Sequence, residues 1–273
     1  MAKNTDSASA IRVMGVLNVT PDSFSDGGLY NNPDFALKHI EKMVKEGASI
    51  IDVGGESTRP GSDPVKAEEE IRRIEPVIKA GVKRFPEIQF SIDTMKAEVA
   101  KAALSCGATM VNDVSGLRFD PEKAKLCAEY DANLVIMHSK EMPKTMQDNP
   151  QYDDVLQEVA GFLKTQCSFA KEQGVKKIYT DPGIGFGKTL DHNLKLLAGL
   201  EDIVELGYPV LVGVSRKSMI GKLLNDRPVD GRLAGTIALH YHAMMKGASI
   251  IRVHDVREAV DSVRILQALQ KTT

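Results

Sequence analysis

Long apolar runs are absent from this sequence. No stretch approaches the roughly 18 apolar residues that a helix needs to cross a bilayer, and the first ten residues, MAKNTDSASA, lack the apolar core of a secretory signal. A strong net charge is also absent, because 35 lysine and arginine residues nearly balance 37 aspartate and glutamate residues. Nucleic-acid binding is therefore disfavoured. We expect a cytoplasmic protein that binds neither a membrane nor a nucleic acid.

Cysteine is scarce. The three cysteines, Cys106, Cys127 and Cys167, are an odd number at wide spacing, which argues against a disulfide framework. Each lies in a segment with a helical pattern, and no local turn or basic partner marks any of them as a catalytic thiol. We expect all three to be reduced and buried.

Short β-branched runs alternate with longer helical patterns along the whole chain, which is typical of parallel β/α units. The predicted strands span residues 12–19, 49–54, 89–94, 109–114, 133–138, 177–181, 209–215 and 249–254. The chain length of 273 residues is close to the roughly 250 of a barrel built from eight such units. We expect one domain over residues 1–273, with residues 1–10 flexible.

The chain also repeats one short pattern. Residues 47–53 read GASIIDV, residues 247–253 read GASIIRV, and residues 107–111 give the weaker GATMV. Each glycine is predicted to end a helix in the left-handed conformation before a strand begins. A doubly wound open sheet would share these features, but no Gly-x-Gly-x-x-Gly turn follows the first strand. The sequence therefore predicts the α/β class and a single (β/α)8 barrel.

Polar residues stand where the predicted strands end, which is where a (β/α)8 barrel builds its active site. Asn18 ends strand 1 before a glycine-rich loop, Asp93 ends strand 3, Asn112 and Asp113 end strand 4, and Asp181 ends strand 6. Carboxylates at several strand ends are costly unless a common polar partner satisfies them. A bound ligand would supply that partner, and a structural network among the loops is the alternative.

The acids could hold a metal or a heterocycle. No strand end carries the paired histidines of a typical zinc or iron site, and amides are interspersed with the acids. Acids and amides together suit the edge of a heterocycle that offers both N–H donors and acceptors. His138 ends strand 5, where it could simply cap the core. The other helical histidines, His39, His192, His240 and His242, are assigned to structure or solvent.

Cationic and donor groups follow three other strands. Thr58 and Arg59 lie in a loop punctuated by glycine and proline after strand 2, where Arg59 could contact an anion or be solvated. Strand 7 leads into a helix through Ser215, Arg216, Lys217 and Ser218, and a helix amino terminus favours anions. The period of two places Arg252 and His254 on one face of strand 8. This pair indicates phosphate, with a salt bridge to a neighbouring acid as the alternative.

Taken together, these strand ends resemble one family. The chain resembles dihydropteroate synthase from residue 13 to residue 256, through seven motifs in order: GVLNVTPDSFSDGG, GGESTRPG, SIDT, NDVSG, DPGIGFGKT, GVSRKSMIG and RVHDV. That family joins 6-hydroxymethyl-7,8-dihydropterin pyrophosphate to p-aminobenzoate, releasing pyrophosphate and forming dihydropteroate for folate synthesis. The resemblance also implies a target of sulfonamides, which mimic p-aminobenzoate.

The resemblance assigns a role to each motif. Asp93, Asn112, Asp181 and Lys217 would bind the polar edge of the pterin, with Met137 and Phe186 packed on its ring. The pyrophosphate would be held by Asn18, Thr58, Arg252 and His254, with Asn18 also binding Mg2+. The p-aminobenzoate would contact Arg59, Pro60, Phe186, Lys217 and Ser218. The implied catalytic residues are Asn18, Arg59, Asp93, Lys217, Arg252 and His254.

The family mechanism is an SN1-like displacement, in which pyrophosphate leaves before a neutral aromatic amine attacks, so no general base is expected. Closure of residues 25–28 would exclude water.

The chain departs from the family pattern at residues 139–142. The alternatives are a methyltetrahydrofolate methyltransferase, which would not need the STRPG and SRKS loops, and a catalytically silent pterin-binding paralogue. The resemblance also suggests a homodimer, through late helices whose Leu239, Tyr241 and Met244 exceed what the core needs.

Overall fold

Eight parallel strands close into a barrel in which each strand pairs with its neighbours in chain order and β8 pairs with β1. The computed structural model describes residues 11–20, 33–57, 64–141, 145–147 and 149–272. The strands are β1 Arg12–Asn18, β2 Ile50–Gly54, β3 Gln89–Asp93, β4 Met110–Asp113, β5 Asn133–Met137, β6 Ile178–Asp181, β7 Val210–Val212 and β8 Ala248–Val253. All eight predicted strands are confirmed, although β7 is shorter than residues 209–215.

Helices follow every strand and pack outside the barrel. They are α1 Pro33–Glu46, α2 Ala67–Arg84, α3 Ala97–Ser105, α4 Glu122–Glu129, α5 Val155–Glu172, α6 Leu190–Ala198, α7 Leu200–Val204, α8 Ser218–Leu223, α9 Leu233–Met245 and α10 Val256–Gln270. Two helices follow β6 and two follow β7, and Asp154 caps α5 by accepting bonds from the backbone N–H groups of Leu156 and Gln157. Within the described ranges, no helix combines the length and apolarity needed to span a membrane.

The strands bury both of their faces, because alternate side chains point to opposite sides. One face packs against the helices in a large core that includes Ile92, Val111 and Ile136. The other points into the barrel, where a separate cluster forms from Met14, Ile50, Met110, Val135, Leu211 and Ile250, with Tyr179 packed against it. This inner cluster fills the lower part of the barrel. The polar strand ends therefore lie directly above this inner apolar cluster.

The three glycines of the repeated pattern adopt the predicted conformation. Gly47, Gly107 and Gly247 have φ of 102°, 101° and 100°, values that side chains bearing a Cβ rarely adopt. An added Cβ at Gly247 would also lie 3.1 Å from the Val204 side chain. The repeat thus marks the same joint between helix and strand three times.

Two expectations need correction. Cys127 and Cys167 are buried in helices, but Cys106 is the C-cap of α3 and is only partly buried. Met244 is part of the core, and Leu239 and Tyr241 pack against it, so these three are not surplus to the core. The exposed apolar side chains of the late elements are instead Leu223, Val229, Met245, Ile265 and Leu269.

Alanine substitutions at two glycines should have opposite effects on stability. Gly247→Ala forces a Cβ into a strained backbone and should lower the free energy of unfolding by about 1–2 kcal/mol. Gly161 lies within α5, and an added Cβ there meets nothing within 4 Å, so Gly161→Ala should raise that free energy by about 0.5–1 kcal/mol. Urea-induced unfolding measures both. Equal effects would contradict the assigned backbone strain.

Candidate active site

Four residues on neighbouring strands form a row at the carboxyl ends of β1 to β4. The strand register pairs Asn18 with Gly54, Gly54 with Asp93, and Asp93 with Asn112. A Cβ added at Gly54 would lie 3.5 Å from Asn18 Oδ1 and 3.8 Å from Asp93 Cβ. Because Gly54 has no side chain, the amide of Asn18 and the carboxylate of Asp93 border a common space.

Arg252 connects to this row from β8, the strand that pairs with β1 on the side away from β2. Its Nε donates to Asp52 Oδ2 at 2.7 Å, and its Nη2 donates to Asp93 Oδ2 at 2.7 Å. Asn112 Nδ2 donates to the same Asp52 oxygen at 2.9 Å. The salt-bridge alternative for Arg252 is therefore observed, and it joins residues predicted for the site. Asp52 is fully buried and was not singled out from the sequence.

Burial and charge set the protonation of this group. Burial raises the pKa of Asp93 to about 7, although Arg252 opposes the shift. Burial alone would lower the pKa of Arg252, but Asp52 and Asp93 outweigh it and the pKa is raised. Asp93 Oδ1 and Asp52 Oδ1 are buried and have no hydrogen-bond partner among the described residues. Such acceptors are costly to bury unless a ligand donates to them.

An apolar cluster lies beside the polar row. Met95, Val114 and Met137 are buried together, and Phe186 packs against them. Of these four, Met137 and Phe186 were predicted from the resemblance, whereas Met95 and Val114 were missed. Flat apolar surface beside unpaired hydrogen-bond acceptors is suited to a planar heterocycle with N–H groups.

Lys217 and Asp181 complete the mouth on the far side. The Lys217 ammonium donates to the carbonyl of Ile184 and lies 4.5 Å from the centre of the Phe186 ring. Asp181 Oδ1 accepts from the backbone N–H of Gly183 at 2.7 Å. Burial lowers the pKa of Lys217 to about 8 against the opposing charge of Asp181, and burial raises the pKa of Asp181. The structure thus brings Asn18, Asp93, Asn112, Met137, Asp181, Phe186, Lys217 and Arg252 to one barrel mouth.

The residues of the turn after β7 differ in whether they face the barrel mouth. His254 Nδ1 and the Ser215 hydroxyl are 3.0 Å apart, which ties β8 to this turn. Arg216 instead turns away and pairs with Asp255, its Nε donating to Oδ2 at 3.0 Å. Ser218 is exposed at the start of α8. Only part of the predicted SRKS cluster therefore faces the mouth.

Asp113 and His138 face away from the polar row. Asp113 Oδ2 is 3.3 Å from Lys123 Nζ, and both side chains are fully buried between β4 and α4. The prediction that Asp113 shares the rim with Asp93 is wrong, because successive strand residues point to opposite faces. His138 is buried beside Lys188, 3.0 Å from its ammonium, and burial lowers the pKa of His138 to about 2.

Some predicted residues lie outside the described ranges: Thr58, Arg59, Pro60, residues 25–28 and Met142. The residues next to the second loop are described, and Glu56 Oε1 accepts from the backbone N–H of Val65 at 2.6 Å. In the segment that departs from the family pattern, Lys140 Nζ pairs with Glu158 at 2.6 Å, and Arg118 donates to the Ser139 carbonyl at 2.8 Å. That segment is thus tied to α5 and to the loop after β4.

Known proteins share this sequence and architecture. Residues 14–254 match the pterin binding enzyme family. A dihydropteroate synthase of Escherichia coli strain K12 is 48% identical over 258 residues, which cover 94% of this chain and 90% of that protein. The chain belongs to this family.

Two solved dihydropteroate synthases have the same fold. The enzyme from Clostridium difficile, crystallised in the presence of pteroic acid, is 48% identical, with a TM-score of 0.89 over 97% of this chain and 98% of that one. The Xanthomonas albilineans enzyme with 4-aminobenzoic acid is 43% identical, with a TM-score of 0.90 over 96% of this chain and 94% of that one. The resemblance inferred from seven motifs is confirmed.

Among the residues of this dihydropteroate synthase fold that the sequence reasoning missed, Asp52 carried a usable signal. It is a carboxylate in the otherwise apolar strand IIDVG, and strands buried on both faces are normally continuous apolar runs. Its two-residue spacing from Ile50 also placed it on the inner face. Lys188, by contrast, sits in a loop, where a lysine is normally solvated.

The raised pKa of Asp93 should make stability depend on pH. The carboxyl has an ordinary pKa of 3.8 and a folded-state pKa of about 7. Between these values the folded chain binds more protons, so this residue's contribution to stability falls as pH rises. From pH 5 to pH 8, the free energy of unfolding should fall by about 2–3 kcal/mol more in the parent than in Asp93→Asn.

Urea-induced unfolding at both pH values tests this expectation. Asp191→Asn is the control, because Asp191 is exposed and the hydrogen bond from Lys195 lowers its pKa. Its carboxyl is ionised throughout the interval, so the control should match the parent. An Asp93→Asn variant with the parent's pH dependence would exclude a raised pKa.

Proposed function

We propose that this chain joins 6-hydroxymethyl-7,8-dihydropterin pyrophosphate to p-aminobenzoate, giving dihydropteroate and pyrophosphate. The observation that carries this proposal is the Asp52–Arg252–Asp93 group, which lies beside an apolar cluster. Each of its two carboxylates has one oxygen without a hydrogen-bond partner among the described residues. A pterin offers N–H groups to such acceptors and a flat ring to such a cluster.

The pterin is proposed to bind to the residues at the carboxyl ends of the strands. Asp93 Oδ1 accepts from a pterin N–H while Oδ2 keeps its bond to Arg252. Asn112 and Asp181 bind the remaining polar edge, Lys217 donates to the ring carbonyl, and Met137 and Phe186 pack on the ring faces. The lowered pKa of Lys217, about 8, still leaves most of it protonated near pH 7, as a donor requires.

The pyrophosphate role falls to Asn18, Thr58, Arg252 and His254. Arg252 stays charged because its pKa is raised, and charge stabilisation matters most on a departing leaving group. The row also fits Mg2+. The Asn18 amide oxygen borders the place that a side chain at Gly54 would occupy, and Mg2+ is commonly held by few protein oxygens together with substrate phosphates. Mg2+ bound there would neutralise charge on the leaving pyrophosphate.

The second substrate needs placement more than activation. The amine of p-aminobenzoate is neutral at pH 7 and attacks the pterin methylene without losing a proton first, so its orientation is the main requirement. The residues assigned to it are Arg59, Pro60, Phe186, Lys217 and Ser218, and the role of Arg59 would be to pair with the carboxylate. Exclusion of water from the mouth would keep it from capturing the cationic intermediate.

The chain is further proposed to act in the cytoplasm, as one domain and as a homodimer. Exposed apolar side chains on the late elements support pairing there. Met245 is 59% exposed on α9, and Ile265 and Leu269 are 59% and 55% exposed on α10. No nucleic acid or membrane partner is proposed, given the balanced charge of the chain.

Pyrophosphate release is the direct test of the activity. Release should require the pterin pyrophosphate, p-aminobenzoate and Mg2+ together, and dihydropteroate should form in equal amount. Omission of any one component should reduce the rate to background in a coupled phosphate assay. Tight pterin binding without turnover would instead support a silent paralogue, and methyl transfer from methyltetrahydrofolate would support the methyltransferase.

Substitutions should separate the two substrates. Lys217→Ala and Asp181→Ala remove contacts to the pterin and should raise the Kd for the pterin pyrophosphate about tenfold or more. Arg59→Ala should mainly raise the KM for p-aminobenzoate, because it removes the partner of the carboxylate. Calorimetry and steady-state kinetics measure these constants. Equal loss for both substrates in all three variants would contradict the division of the site.

A further inference from the structure

Lys188 is a buried lysine to which the proposed mechanism gives no task. The residue is 3% exposed, and its ammonium, with three N–H groups, lies within hydrogen-bond distance of four acceptors. They are the Phe186 carbonyl at 2.9 Å, the Gly183 carbonyl at 3.0 Å, His138 Nδ1 at 3.0 Å and the His138 carbonyl at 3.3 Å. The ammonium therefore bonds a strand end on one side and a loop on the other.

Burying a lysine at this position is costly. Its four acceptors are all neutral, since His138 has a pKa of about 2, and none of the described carboxylates lies within ion-pair distance of Lys188. Burial lowers the pKa of Lys188 to about 7, Asp181 opposes the shift, and the charges of Lys217 and Lys140 add to it. An apolar side chain of similar length would avoid this cost, so a role for the ammonium is expected.

The loop bonded by Lys188 is the one that carries Phe186. Gly183, Gly185 and Gly187 all have positive φ, at 69°, 82° and 59°, so the chain reverses repeatedly over five residues. An added Cβ at Gly183 would collide with the His138 carbonyl, which shows how closely the loop packs on the end of β5. A loop this rich in glycine has little conformational preference of its own, and its shape depends on bonds such as those to Lys188.

Two pterin-facing features depend on that shape. Phe186 packs on Met95, Val114 and Met137, and the Ile184 carbonyl accepts the bond from Lys217. Both lie between Gly183 and Gly187, within the turn whose carbonyls converge on Lys188. Other bonds also support the loop, from Gly185 N–H to Asn193 Oδ1 at 2.6 Å and from Tyr152 to the Gly187 carbonyl at 2.9 Å. Among the described residues, Lys188 alone bonds both this loop and His138 at the end of β5.

We propose that Lys188 is a positioning residue for the pterin: its ammonium gathers the carbonyls of Gly183, Phe186 and His138, and thereby holds Phe186 and Lys217 in their pterin-binding places. Lys188 itself does not touch the substrate. The inference rests on the proposed function, because it assumes that the mouth binds the pterin pyrophosphate.

Lys188→Met tests the proposal by keeping most of the bulk while removing the charge and the donors. The Kd for 6-hydroxymethyl-7,8-dihydropterin pyrophosphate, measured by calorimetry without p-aminobenzoate, should rise about tenfold or more. The KM for p-aminobenzoate should stay within about twofold of the parent value at saturating pterin pyrophosphate. Lys188→Arg, which keeps the cation, should recover part of the affinity. Lys195→Met, which replaces an exposed lysine on the neighbouring α6, should leave every constant unchanged.

Several results would overturn the proposal. Parent-like pterin affinity in Lys188→Met would do so, as would an equal loss for both substrates, since that is the mark of general destabilisation. Melting temperatures recorded in parallel show whether each variant is folded. If Lys188→Met does not fold, Lys188→Gln replaces it: its amide can donate to one carbonyl but cannot gather all three, so the Kd for the pterin pyrophosphate should still rise, and parent-like affinity would overturn the proposal. Failure of the parent itself to bind the pterin pyrophosphate would refute the proposed function instead.

Discussion

The guanidinium of Arg252 is the interaction on which the mouth of this barrel depends. It reaches across from β8 and binds one carboxylate on β2 and another on β3, each at 2.7 Å. Two buried carboxylates and a partly buried guanidinium thereby share a small space, and such a group is stable only while every member keeps its partner. The planar guanidinium suits this task, because it presents several donors in a fixed geometry. Lysine could offer only a point charge.

This arrangement divides the oxygens of each acid between protein and ligand. Asp52 and Asp93 each commit Oδ2 to Arg252, and each leaves Oδ1 without a partner among the described residues. The acids are therefore oriented before any ligand arrives, and the orientation costs nothing at the time of binding. In the proposed assignment, a pterin N–H satisfies Asp93 Oδ1 while Arg252 remains in place to face pyrophosphate. The two ends of the substrate are then bound by one connected group.

Much of this could be predicted from the sequence, and the physical reason is periodicity. Strand and helix patterns repeat eight times, and glycines such as Gly247 mark the joints because few other residues accept a φ near 100°. The motifs placed Asp93, Asn112, Asp181 and Lys217 at strand ends, and the structure brings them together. The same period of two puts Asp113 on the face opposite Asn112, where it pairs with Lys123. The error at Asp113 was therefore avoidable.

Other features could not be predicted from local patterns, because they depend on pairs of residues that are distant in the chain. Asp52 and Arg252 are 200 positions apart, and nothing near either one specifies the partner. The burial of Lys188 likewise follows from how the loop after β6 folds back on β5. An apolar residue such as Met244 suits an interface as well as a core, and only the packing of the folded chain shows that it lies in the core.

The charge of the mouth also bears on the order of chemical events. Its buried acids, Asp52, Asp93 and Asp181, are balanced only in part by Arg252 and Lys217, so the mouth has no surplus of positive charge when all five groups are ionised. A pyrophosphate group adds negative charge that this balance does not cover. Mg2+ and the groups assigned to the loops would have to supply the compensation, which favours a site completed by its ligands rather than one preformed throughout. On this view, the rigid floor selects the pterin, and the assembled rim allows pyrophosphate to leave only once the substrates are in place.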